Sequence, residues 1–158
     1  MRYFVAAWFL VAWCAYADTL EGKVVRIADG DTLTVLVQRK QVPVRLVEID
    51  APERKQAFGT RSRQSLSELC ARKTAIVKWR ERDRYGRVLG RVRCAGVDVN
   101  AEQLRRGMAW VFDRYVQDRR FYTLQDEARS ARRGLWADRS PLPPWEWRRL
   151  GKDTKRRR

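Results

Sequence analysis

Apolar and polar side chains alternate along five short runs between Glu21 and Arg93, and a period of two is the pattern of a half-buried strand. The first run, with Val24, Val25 and Ile27, leads into Asp29-Gly30-Asp31, and the second occupies residues 32–37. A polar turn over residues 38–41 returns the chain into a third run over residues 42–49. The opening is therefore a three-stranded meander, and Pro52 ends it because proline cannot donate to a strand ladder. Residues 60–71 contain no Gly or Pro and set Leu66, Leu69 and Cys70 at helical spacing, which predicts a helix lying on the sheet. The fourth and fifth runs, residues 74–79 and 88–93, follow on either side of the charged segment 80–87.

Two more helical patterns come later in the chain. Asn100, with Gln103 three residues on, reads as the capped start of a short helix that stops at Gly107. A last helix over about residues 119–133 places Phe121, Leu124, Ala128 and Ala131 on one side and ends at Gly134. Five strands with a helix between the third and fourth fit an α+β, mainly β domain: a five-stranded Greek-key barrel of the OB type with three helices. At 158 residues the chain can build one such domain with a real core and has little room for a second. The domain is expected over residues 18–139. Residues 140–158, with Pro141, Pro143, Pro144, Trp145, Trp147 and a basic end, read as a mobile tail.

The first 17 residues read as a signal peptide, with Arg2 as a short positive start, an apolar run over residues 4–13, and Ala15-Tyr16-Ala17 offering small residues for cleavage after Ala17. The alternative is a membrane anchor, although an apolar stretch of about 14 residues is short of the ~20 that span a bilayer. Cys14 follows the bulky Trp13 and belongs to the discarded segment, not to a lipid attachment site. Cys70 and Cys94 remain, an even count that permits a disulfide in an exported domain, with two buried thiols as the alternative. The expected localisation is secreted or periplasmic.

Lys and Arg number 35 against 19 Asp and Glu, a formal net charge of +16, which makes a polyanion the first partner to consider. Anionic lipid or an acidic protein would satisfy the same charge. The chain has no histidine, which removes Ser-His-Asp and Cys-His nucleophilic systems, histidine bases and most zinc sites. Hydrolytic chemistry here must run on carboxylates, arginines, lysines, tyrosines or an oxygen-liganded metal.

Carboxylates in so basic a chain oppose phosphate binding and so need a reason. Asp29, Asp31 and Asp50 punctuate strand ends, and Glu53 follows closely. Converging carboxylates suit a hard divalent cation, which takes oxygen ligands including backbone carbonyls. Taken alone, Asp-Gly-Asp is more often a solvated turn. Arg45 and Arg87 offer planar donor forks to phosphate oxygens, although each alone is more often one surface arginine among many.

Their combination is more specific. Asp29-Gly30-Asp31-Thr32, Arg45-Leu46-Val47-Glu48-Ile49-Asp50-Ala51-Pro52-Glu53, Asp83-Arg84-Tyr85-Gly86-Arg87, Val99-Asn100 and Arg106-Gly107-Met108-Ala109-Trp110 occur in that order. In order and spacing the set resembles the staphylococcal nuclease (thermonuclease) family over about residues 20–137. The resemblance implies an OB-fold nuclease with calcium bound by Asp31, Asp50 and the backbone carbonyl of Ala51. It gives Arg45 and Arg87 the role of phosphate-binding arginines and Glu53 that of general base toward water. It places Arg84, Tyr85 and Tyr115 against the nucleotide. The activity implied is calcium-dependent, sequence-nonspecific hydrolysis of DNA and RNA leaving 3′-phosphate ends. Nothing in the sequence demands a stable protein partner, so a monomer is expected.

Two departures from that pattern stand out. Ala51 replaces a threonine, which preserves a carbonyl ligand but removes a hydroxyl, and residues 54–59 are shorter than the family's mobile loop, with Phe58 in place of a tyrosine. The rival readings are a catalytically silent OB-fold nucleic-acid-binding module, for which charge and aromatics suffice, and a basic protein anchored to a membrane by its first residues. Trp79, Trp110 and Trp136 read as packing residues, whereas Trp145 and Trp147, beside Arg148 and Arg149, could stack on bases or pack the C-terminal segment onto the barrel.

Overall fold

The structure is a computed structural model describing residues 18–156. The expected signal peptide and the last two residues lie outside the described residues. Strands β1 (Asp18–Ile27), β2 (Thr32–Val37) and β3 (Lys40–Leu46) make the expected antiparallel meander. The two-residue β4 (Ile49–Asp50), helix α1 (Gly59–Cys70), β5 (Thr74–Arg82) and β6 (Val88–Cys94) come next. After them run β7 (Val97–Asp98), α2 (Val99–Arg105), β8 (Trp110–Val111), α3 (Arg120–Ser130), a 3-10 turn (Gly134–Ala137) and α4 (Pro144–Arg156).

β1 lies between β2 and β5, β5 pairs with β6, and β3 pairs with β6 in parallel from Val44↔Val88 to Leu46↔Gly90. That last pairing closes five strands into a barrel, giving the α+β, OB-like architecture with one extra short strand, β7, beside β6. Inward positions alternate as the sequence pattern requires: Leu33, Val35, Val44, Leu46, Val77, Val88 and Val92 are fully buried. Pro43 is tolerated because the ladder to β6 begins one residue later. Cys70 and Cys94 form a disulfide that ties the end of α1 to the end of β6, so the alternative of two free thiols does not hold. Among the described residues no helix is long and apolar enough to cross a membrane.

Four expectations need correction. The third strand stops at Leu46 instead of continuing to Ile49, because Glu48 turns left-handed at φ 67°. A residue with a Cβ holds that conformation only when its surroundings impose it. Here the Glu48 carboxylate accepts the amides of Gln117 and Asp118 at 2.9 and 2.8 Å, and its carbonyl accepts the amide of Phe112 at 2.9 Å. The kink redirects the chain so that β4 pairs with β8, Asp50 opposite Trp110.

Second, α2 is capped by Asp98, whose carboxylate accepts the Ala101 amide at 3.2 Å, and not by Asn100. Asn100 instead joins two strands: its Oδ1 accepts the Val92 amide at 3.0 Å and its Nδ2 donates to the Val47 carbonyl at 2.9 Å. Third, α3 is shorter than expected, burying Phe121 and Ala128 while Ala131 lies past its end and is exposed. The chain leaves α2 through Gly107 at φ +65°, where a Cβ would meet the Arg133 carbonyl oxygen at 2.2 Å; only glycine fits both the conformation and the contact.

Fourth, the tail expected to be mobile forms a fourth helix, α4. Pro144 starts it with a φ already suited to a first turn. Trp145 fixes it to the barrel, stacked on Phe112 with ring centroids 5.9 Å apart and edge-on to Trp110 at 5.8 Å. Upstream, the Gln56 side chain donates to the Leu142 carbonyl at 2.6 Å. The end of the chain is thereby held over the segment that follows β4.

Candidate active site

The turn between β1 and β2 delivers Asp31. Asp29 accepts the Asp31 amide through its side chain at 3.2 Å, a local turn typical of aspartate. The carbonyl of Gly30 is held by Nε2 of the fully buried Gln103 at 2.6 Å. Gln103 was expected to help cap a helix; instead it joins this turn to α1, accepting the Ser65 hydroxyl at 2.6 Å. Asp31 then uses both oxygens: one accepts the Thr32 hydroxyl at 3.0 Å, the other the Ala51 amide at 2.8 Å.

Arg45 projects from β3 between two carboxylates. Its Nη1 lies 2.9 Å from Asp31 and its Nη2 3.0 Å from Asp50. The same guanidinium donates to the carbonyls of Leu46 and Ile49 at 2.8 and 3.0 Å, and those carbonyls are available because the strand breaks at Glu48. With its side chain only 15% exposed, Arg45 is fixed by four acceptors from three parts of the chain. A charge held this way presents donors without reorganisation.

Arg148 of α4 completes the cluster, and sequence reasoning did not assign it to the site. Its Nη2 lies 2.6 Å from Asp50 Oδ2 and its Nη1 3.3 Å from Oδ1, while Nη1 also donates to Glu53 Oε1 at 2.7 Å. Asp50 is 1% exposed. Burial pushes its pKa up, and the hydrogen bond from Arg148 and the charge of Arg45 oppose that rise. For Arg148 burial disfavours the charge, yet its bonds to Asp50 and Glu53 prevail and hold its pKa above the ordinary value. Asp29 is pushed up to about 7, first by burial and then by the neighbouring Asp31.

The remaining predicted residues lie on the loop after β5 and beyond β8. Arg87 immediately precedes Val88, the residue that pairs with Val44 one position before Arg45. Its Nε donates to Asp83 at 2.7 Å. Burial raises the pKa of Asp83, but the bonds from Arg87 and the loop amides outweigh it and leave the carboxyl below its ordinary range. Arg84 donates to the Tyr85 hydroxyl at 2.7 Å, and the guanidiniums of Arg84 and Arg87 lie 4.9 and 5.6 Å from the Tyr85 ring centre. Tyr85 is 68% exposed and Tyr115, edge-on to Phe112, is 54% exposed. The structure thus joins Asp31, Arg45, Asp50 and Ala51 directly and ties Glu53 to them through Arg148, and presents Arg84, Tyr85, Arg87 and Tyr115 as separately supported groups.

Carboxylate oxygens on one guanidinium are the donor chemistry of a hard, oxygen-seeking cation, so Asp31 and Asp50 fit calcium by type. Among the described residues no three acidic or cysteine side chains are gathered into a ready-made cage. Arginines neutralise the two aspartates in its place. The Ala51 amide donates to Asp31, which holds the Asp50–Ala51 peptide against the first carboxylate.

The closed OB-like barrel carries a buried aspartate pair and a clamped arginine, and the family and relatives that the chain matches make it a hydrolase of the nuclease class. The family described as Staphylococcal nuclease homologue matches residues 43–138, and the chain belongs to that family. It is 45% identical over 148 residues to an uncharacterized endonuclease of Escherichia coli, covering 93% of this chain and 97% of that protein. It is 44% identical over 156 residues to a micrococcal nuclease of Shigella flexneri, covering 92% and 89%, respectively. An uncharacterized endonuclease of Haemophilus influenzae is 43% identical over 131 residues, covering 82% and 74%.

Proposed function

We propose that this nuclease is exported and cleaves DNA and RNA without sequence preference in a calcium-dependent reaction. The observation that carries the reading is the placement of Arg45 between Asp31 and Asp50, with Glu53 linked to the same cluster. Phosphodiester hydrolysis builds negative charge on the phosphoryl oxygens, and preorganised guanidiniums stabilise it. Arg45 and Arg87 take the phosphate. Glu53, half exposed and hydrogen-bonded through one oxygen, receives a proton from the attacking water.

Asp31, Asp50 and the Ala51 carbonyl would hold calcium, which when bound supplies Lewis-acid stabilisation of the phosphoryl oxygens. Tyr85 and Tyr115 offer exposed rings to the nucleotide, with Arg84 beside the first. The product reading, by family resemblance, is a 3′-phosphate end, and the protein acts as a monomer. Removal of residues 1–17 and a secreted or periplasmic location are supported by the Cys70–Cys94 disulfide, a bond that persists in oxidising compartments.

The test is release of acid-soluble nucleotides from denatured DNA and from RNA by the purified protein, in calcium and in chelator, beside Glu53→Ala and Arg87→Ala. Loss of roughly a hundredfold to a thousandfold is expected in Arg87→Ala, the scale of removing one transition-state donor, and of roughly a hundredfold to ten-thousandfold in Glu53→Ala, the scale of a general base. Undiminished cleavage in chelator would refute the calcium requirement, and near-normal rates in both variants would refute the assigned roles.

A further inference from the structure

Arg148 reaches the site from the far end of the chain, 98 residues from Asp50 and 95 from Glu53. It engages both oxygens of Asp50 and one of Glu53. We infer that Arg148 is a built-in counter-ion that competes with the divalent cation for Asp50, so that the C-terminal helix sets the enzyme's metal affinity. The inference rests on the proposed cation site at Asp31 and Asp50.

The two arginines on Asp50 are held very differently. Arg45 is bound by two backbone carbonyls as well as two carboxylates and is largely buried. Among the described residues Arg148 is held by the carboxylates of Asp50 and Glu53, and 40% of its side chain is exposed. A cation takes a carboxylate oxygen at roughly the distance at which Arg148 already holds Oδ2, and two positive groups cannot share that approach. Of the two guanidiniums, Arg148 is the one that can swing into solvent, because its stem is the exposed face of α4 while Trp145 keeps the helix docked. Without a cation, Arg148 neutralises a carboxylate that is 1% exposed; with one, it must leave. Release of Arg148 also frees Glu53, so loading the site and unmasking the proposed base are one event.

The test is titration calorimetry of calcium into the full chain and into Arg148→Ala, Arg148→Lys and Asp50→Asn, paired with melting curves in calcium and in chelator. Arg148→Ala should bind calcium roughly tenfold more tightly, the scale of losing a partly exposed ion pair to a buried partner. Arg148→Lys, which keeps the charge and loses the fork, should fall between it and the native protein. Calcium should raise the melting temperature of Arg148→Ala by more than that of the native protein. A merely structural latch would instead lower both melting curves equally and leave the calcium Kd unmoved. Saturable binding that Asp50→Asn abolishes, but that is equal or weaker in Arg148→Ala, would overturn the competition alone. Absence of Asp50-dependent binding in every variant would overturn the cation site and the competition with it.

Discussion

Replacing Gln103 by leucine tests whether the Asp29–Asp31 turn is held from behind. The two side chains are similar in size, so the change removes polar contacts with little change in volume. Nε2 of Gln103 holds the Gly30 carbonyl at 2.6 Å, and Oε1 accepts the Ser65 hydroxyl at 2.6 Å, in a fully buried site. A buried group left without its partner costs about 1–3 kcal/mol. The Ser65 hydroxyl can turn to a carbonyl of its own helix, so one to two groups are orphaned and the expected loss is about 2–4 kcal/mol. For a chain of this size that lowers Tm by roughly 5–15 °C. Differential scanning calorimetry measures the loss, and the double variant Gln103→Leu with Ser65→Ala should be less destabilised than the sum of the two, because the residues share one bond. Nuclease activity measured well below the melting range should also fall, since the Gly30 carbonyl positions Asp31. A Tm within about a degree of native, or strict additivity with Ser65→Ala, would refute the reasoning.

Three further expectations can be tested in parallel. Reducing the Cys70–Cys94 bridge, which spans 24 residues, should cost about 3 kcal/mol in a chain-entropy treatment, and melting with and without reductant should differ by roughly 6–12 °C. Arg45→Ala leaves the buried Asp31 without its arginine while Asp50 keeps Arg148, with a loss of about 3 kcal/mol by denaturant titration; a loss below about 1 kcal/mol would show that the pair does not depend on Arg45. The hydrogen bonds from Arg120, with those from Arg91, hold the Asp118 carboxyl below its ordinary value of 3.8. Because its folded pKa is depressed, its contribution is present above the unfolded pKa and is lost as pH falls toward the folded one. The Tm gap between native protein and Asp118→Asn should therefore be constant above about pH 5 and shrink toward pH 2; a gap that widened on acidification would contradict it.

The barrel was legible because each strand alternates over its own length, and α1 was legible because residues 59–70 need nothing distant to set their pattern. What was missed depends on contacts far apart in sequence. The left-handed Glu48 is imposed by amides some 70 residues away, and the alternation of Val47, Glu48 and Ile49 continues through the break as if the strand did. Asn100 and Gln103 satisfy a local capping rule, yet both are drawn inward by stronger tertiary partners. Three prolines and a run of charges made α4 look like a tail, although Trp145 against two aromatic rings and Arg148 on Asp50 and Glu53 dock it. In the site, Asp31, Arg45, Asp50 and Glu53 were singled out by the resemblance of their ordered motifs, spacing alone being weak, and the structure draws the first three together. Arg148 was not, because no short motif contains both it and its partners.

The parallel pairing of β3 with β6 joins segments that are 44 positions apart at Val44 and Val88, and it sets Arg87 beside the strand that bears Arg45. Closing such a pairing costs more loop entropy than closing a local hairpin does, and β1 with β5, 61 positions apart at Asp18 and Trp79, is a longer-range pairing of the same barrel. The two arginines proposed to grip one phosphate therefore become neighbours only when the ring shuts. Return of catalysis should require that closure, which makes the substrate itself a probe of the barrel.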